Sequence, residues 1–585
     1  MRHLPEAFAC KGVLCDAISR NGGFSIRYEI LRSTGLAIST ALAPIFLIVF
    51  TAFPTALHAQ NANSVQAFAG RALELRNAGM FDEAVPLLQE AISISEQQHG
   101  AEHSTTLSLL YGLGSLYYQS GNFSEAELLW TRVLDARRRT LGPEHPHTLI
   151  TLDGLGLVYR AQGRYAEAER LLRQGFDLSE RVLGVDHPST LTSLNNLATL
   201  LVDAGHYVEA EPLHRRALAG RRSALNDNDP DIYNSVNNLA VAVLSQGRFE
   251  EAETLFDEAI EGYQRAAGLR HRDTLFAAAN QATNYQLQGR YAEAEEIYRR
   301  TLSLQEQTLG QEHPDTLLTL DNLGVVLRRQ GQLDLAESLH QQAREIATRT
   351  LGAEHPAALT SSKNFAGVLR DQGQFEQAER MYLTTIEIAD RTLGSDHPLT
   401  LRTLNDLGIL YQRQGRGEDA EQIYRRALDS GENVFGADHP VTIAVRNNLA
   451  TVFISQGRNT DAEPLIRRSW HTLESSGGPT SPDVLAAMNN LAVALQEQGR
   501  FDEAAGLYRA VVSASENNVG GQQPTNLAAR SNLATIEIAA DGASAAGANG
   551  GTCLVVMDIV IRGGVEVRMA SRMCRVPPSA RFEPI

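Results

Sequence analysis

Residues 194–218 read LNNLATLLVDAGHYVEAEPLHRRAL, and this stretch decides the fold. Extended back to Ser189, it sets Leu191, Leu194, Leu197, Ala198 and Leu201 at steps of three and four. That spacing is one face of an α-helix and predicts a first helix over about 189–204. Gly205 follows, a residue that ends helices and enters tight turns at little steric cost. From Tyr207 a second apolar face returns at Ala210, Leu213, Ala217 and Leu218. Glu209 and Glu211 stand in its first turn, where the helix dipole favours negative charge. The local unit is therefore a helix, a glycine turn and a second helix.

The same unit recurs in strict phase on both sides. Pro146, Pro188, Pro230, Pro314, Pro356, Pro398, Pro440, Pro482 and Pro524 are spaced by 42 residues or a multiple of 42, with Arg272 at the one place without proline. Turn glycines from Gly79 to Gly499 repeat with that spacing, as do the helix-ending glycines from Gly100 to Gly520, where Asn226 substitutes once. A small-residue column, Ala126 to Ala504, lets each second helix come close to its partner. Eleven units and a degrading twelfth over about 62–535 predict an all-α solenoid, each unit burying its apolar face only against its neighbours.

Composition narrows the function. Lys and Arg number 52 against 69 Asp and Glu, a net charge of −17. That balance argues against sequence-independent nucleic-acid binding, which needs clustered cations to displace counterions. Four cysteines are too few for a disulfide-dense scaffold or a repeated zinc array. The sequence contains no GxxxxGK[ST], HExxH or GxSxG motif, so neither an enzyme nor a cofactor is expected.

The segments LNNLATLLVDAGHYVEAEPLHRRAL, NNLAVAVLSQGRFEEAETLF and DNLGVVLRRQGQLDLAESLH resemble tetratricopeptide repeats of the long, kinesin-light-chain type. The resemblance spans roughly four-fifths of the chain. It implies a right-handed superhelix whose first helices line a concave groove for extended peptides. It also implies a ligand-facing role for one column of the first helix: Asn196, Asn238, Asn280, Asn322, Asn364, Asn448, Asn490 and Asn532, with Asp406 once and Gly112 and Gly154 opening the column. An Asn amide offers a donor and an acceptor to a peptide unit. The competing reading is that these amides bond the neighbouring helix. One turn later, Arg160, Arg328, Arg329, Arg370 and Arg413 suit acidic ligand groups, or form an ordinary solvated face. Histidines recur once per unit before the proline column, among them His145, His187, His313, His355 and His397; loop packing or helix capping suits them better than metal binding.

The two ends differ from the repeats. Residues 1–59 carry Arg20, Arg27 and Arg32, then an uncharged apolar run from Gly35 to Leu57 and a small residue, Ala59. This reads as a leader holding a signal peptide, or an uncleaved anchor that would be the chain's one link to a membrane. The expected location is periplasmic or secreted, or membrane-anchored with the repeats outside the cytoplasm. With the solenoid assigned to 62–540, residues 541–552 form a linker of small residues. Residues 553–585 predict a β-hairpin turning on Gly563 and Gly564, a register that places Cys553 opposite Cys574 for a disulfide. The function expected is a non-enzymatic scaffold for protein or peptide ligands, the alternative an architectural spacer or self-assembling element.

Overall fold

The computed structural model describes residues 56–477, 482–518, 528–534, 536, 553–562, 565–575 and 582–584. The apolar run at 35–55 and the linker at 541–552 lie outside them. Among the described residues no helix is long and apolar enough to cross a membrane. Among the described residues eleven helix pairs follow one another, from Ala56–Asn77 with Phe81–His99 to Pro482–Glu497 with Phe501–Asn518. The first helix starts at Ala56, inside the span assigned to the leader. The described residues divide into two compact units, one running to Val368 and including Thr384–Thr400, the other made of Leu369–Leu383 and the residues from Leu401.

The histidine column caps the first helices. His145, His187, His313 and His397 each accept on Nδ1 the backbone N–H two residues on, at 3.1–3.2 Å. Asp229 does the same with Oδ1 at 3.0 Å where the column lacks histidine. The proline that usually follows sits at the first helical position, where its missing N–H costs nothing. Thr148, Thr274, Thr316 and Thr400 then return a hydroxyl to the carbonyl of the glycine six residues back.

Packing within a pair explains the glycines inside the first helices. A Cβ on Gly408 would meet Tyr424 at 2.5 Å, and one on Gly324 would meet His340 at 2.7 Å. Gly114 gives way to Trp130, which is fully buried and donates Nε1–H to the Tyr111 carbonyl at 2.9 Å.

Outside, consecutive repeats are tied by a clamp. Arg290, just after a turn glycine, reaches Glu293 at 2.5 Å and Glu253 of the preceding repeat at 2.9 Å, and lies 4.0 Å above the Tyr285 ring. Arg416 and Arg458 repeat the arrangement with Glu379, Asp419 and Tyr411, and with Glu421, Asp461 and Phe453. One exposed ion pair adds little, but the repetition holds a constant spacing.

Within the first unit, residues one superhelical turn apart touch. His397 Nε2 meets the Ala161 carbonyl at 3.1 Å across 236 residues, between five and six repeats along the chain. In the same phase, a Cβ on Gly79 would stand 2.9 Å from Pro314 Cδ, and one on Gly121 2.6 Å from Pro356 Cδ. Each turn glycine here lies under the capped start of a helix one turn later.

At the C-terminus, Cys553–Arg562 and Val565–Arg575 pair antiparallel, with Cys553 opposite Cys574 and Arg562 opposite Val565. A third strand, Phe582–Pro584, joins the second and makes a sheet of three where the sequence suggested two.

Candidate functional site

First helices of consecutive repeats approach one another, as Pro146–Ala161 does Pro188–Asp203 and Pro440–Ser455 does Pro482–Glu497. Within each unit they line one face. The Asn column lies on it: Asn238, Asn280, Asn364, Asn448 and Asn490 are buried, and Asn196 and Asn322 are half-buried.

Three of these amides bond the preceding repeat. Asn238 Nδ2 donates to Asn195 Oδ1 at 3.1 Å, Asn280 to Asn237 at 3.0 Å and Asn448 to Asn405 at 2.8 Å. Every pair is 43 residues apart, one more than the repeat, because neighbouring first helices meet one residue out of step. At Asn490 the 43-residue counterpart is again an amide, Asn447, but at two other positions it is not. It is Ala279 for Asn322, and for Asn196 it is Asp153, which accepts the Ser193 hydroxyl. Burial pushes the Asp153 carboxyl up to about 7, and the Ser193 bond partly opposes that shift.

The arginines are placed differently from the expectation. Arg160 is buried and pairs with Asp203 at 2.7 Å, again 43 residues on. Arg370, buried, and Arg413, half-buried, share Asp371, at 3.1 and 3.0 Å. These three guanidiniums are paired within the chain, and Arg160 and Arg370 are too buried to meet an acidic ligand. Two buried charges stay ionised at tolerable cost only when paired, and Asp203 and Asp371 supply the pairing. Arg328 is half-buried at the corresponding place. Arg272, the exception in the proline column, uses the same step to reach Asp315 at 3.1 Å.

One cluster has the composition of a catalytic triad without its wiring. Asp321 sits between His340, at 2.8 Å, and the Ser361 hydroxyl, which donates to the carboxylate and not to the imidazole. The imidazole therefore does not contact that serine, and the nucleophile–histidine bond of a triad is missing. Ser193 on Asp153 repeats the serine–aspartate contact in another repeat. Among the described residues no three His, Cys, Asp or Glu side chains converge on a metal position.

The tetratricopeptide repeat models match residues 67–138 and, in overlapping windows, 231–469, with further matches at 148–189, 190–231 and 484–525. The chain belongs to the tetratricopeptide repeat family. Among solved structures, this tetratricopeptide repeat chain is similar to the nearly identical TPR-like repeats of a kinesin-light-chain-like protein from Podosopora anserina. The two are 28% identical, over 35% of this chain and 97% of that one, at a TM-score of 0.31. BtubC (BKLC) from P. vanneervenii is 21% identical over 40% of this chain and 91% of that one, at 0.33. A Rap protein complexed with competence and sporulation factor is 13% identical over 59% of this chain and 97% of that one, at 0.39. No curated protein matches the sequence. The tetratricopeptide repeats make this chain a protein-interaction scaffold.

Proposed function

We propose that the first-helix wall grips extended segments of a protein partner through its column of amides. The observation that carries this is the column itself: the 43-residue bonds fix Asn238, Asn280 and Asn448 in orientation. Each bond uses one amide hydrogen, and the residue type has a further N–H and a carbonyl oxygen to offer a peptide. Several such contacts of about 1 kcal/mol each add up along a stiff wall with little demand on sequence. The bonds between repeats also favour a second reading, an architectural solenoid that binds no peptide.

The two readings separate at particular residues. Asn322 has alanine at its 43-residue counterpart, so Asn322→Ala should weaken peptide capture several-fold and leave thermal unfolding unchanged. Asn280→Ala should also lower stability by about 1 kcal/mol, because it breaks a buried bond. Peptides selected from a display library on the intact chain provide the probe. Equal retention of those peptides by Asn196→Ala/Asn322→Ala, folded as judged by circular dichroism, would reject the groove.

We further propose that the protein works outside the cytoplasm. The signal-like N-terminus supports this, and so does the register that sets Cys553 against Cys574. Protein recovered from the cell envelope should begin near Gln60, with a mass two hydrogens below that of the thiol form. Intact protein in the cytosolic fraction with both thiols free to alkylate would refute it.

A further inference from the structure

The contact between turns in the first unit has two unlike surfaces. One is a ledge of turn glycines, Gly79 and Gly121, and the other an edge of capped helix starts, His313–Pro314 and His355–Pro356. Both surfaces recur elsewhere in the chain without cover. Pro146, His187 and Pro188 are exposed, whereas His313 and His397 are buried. In the second unit, Gly373, Gly415 and Gly457 keep φ of +80°, +71° and +74°, with no described atom within 4 Å of where a Cβ would stand.

We propose that these surfaces join two copies of this chain head to tail, the helix-start edge of one seating on the glycine ledge of the next. The contact is the one the chain already makes with itself. Because every column has the 42-residue period, Gly373 can take His145–Pro146 of the second copy while Gly415 takes His187–Pro188. The carbonyls at the ends of Pro356–Asp371 and Pro398–Arg413 stand where Ala161 stands for His397. An interface of two different surfaces does not close on itself, so it adds copies in a row. This inference is independent of peptide binding by the groove.

The test is the full-length chain in a concentration series, followed by light scattering and negative-stain microscopy. The unaltered chain should rise from one copy to a ladder of multiples and show rows of uniform width. Pro146→Glu/Pro188→Glu should remain a single copy, because a glutamate at the first helical position suits the helix but buries a charge on the ledge. This variant keeps its glycine ledge, so added at one part in ten it should shorten the rows of unaltered chain. His187→Asn, which keeps a capping side chain but loses the ring nitrogen that would reach the Arg413 carbonyl, is a milder second variant and should weaken assembly several-fold. A single copy at every concentration, a closed dimer, or assembly unchanged by either variant would each overturn the proposal.

Discussion

Gly121→Ala should destabilise the first unit by about 2–5 kcal/mol, whereas Gly331→Ala, the same substitution in the same column, should cost only about 1–2 kcal/mol. Both glycines have positive φ, +74° and +81°, and both variants carry the penalty for an L-residue in that region. They differ in what the new methyl meets. At Gly331 it meets open space, but at Gly121 it would stand 2.6 Å from Pro356 Cδ and 3.2 Å from the His355 ring. Neither neighbour can yield alone, since His355 caps the helix that Pro356 begins, donation from the Ala357 N–H being 3.0 Å long. The check is urea unfolding together with hydrogen exchange of the two segments around Gly121 and Pro356. Gly121→Ala should raise exchange in both segments at once, although they are more than two hundred residues apart. Equal costs for the two variants would show that the turns do not touch.

Acid should open the same contact before the rest of the solenoid. Burial pushes the His355 imidazole down to about 4, with the Gln119 backbone opposing. It also lowers that of His313, with Arg272 lowering it further and Asp315 and the Asn77 backbone opposing. Each Nδ1 is already the acceptor of a helix cap, so a proton there removes the cap as well as charging a buried ring. The folded chain thus prefers neutral rings, while the unfolded chain binds protons once the pH falls below about 6.5. The contribution is complete above that pH and disappears as the pH falls towards 4. Asp315, held below the ordinary carboxylate range mainly by its Arg272 bond, does not titrate in this window. Exchange at the helix start near His355 should rise steeply between pH 6.5 and 4, ahead of global unfolding. His355→Asn keeps a capping side chain with nothing to titrate, and should flatten the response. A response unchanged by His355→Asn would place the acid sensitivity elsewhere.

The repeats were legible because their signals are local and repeated. Leu191 to Leu201 mark a helix face, Gly205 a turn, and Asn226 takes glycine's place at a helix end. Repetition in phase turned each weak signal into a strong one. The fate of the inner polar residues was not legible from a single repeat. Arg160 reads as a free guanidinium until Asp203 is placed beside it, and Asn238 as a free amide until Asn195 is. The signal was present as a step of 43 where the repeat is 42, but it arises from how two first helices cross, which helix periodicity alone does not contain. Glu251, on a second helix, is likewise shared between Arg215 and Arg248. Contacts 236 residues apart depend on small angles accumulated over several repeats, and no motif encodes those.

The most direct measurement of the central claim is site-specific photo-cross-linking in the cell of origin. A benzoylphenylalanine replaces Asn322 on the first-helix face in one strain and Val208, 64% exposed, in another. If the first helices grip a protein partner, light should join a defined protein to the chain from position 322 and not from position 208, and the adduct should map to an extended segment of that partner. Adducts from position 208 alone, or from neither position in cells where the chain is abundant and folded, would contradict the groove reading.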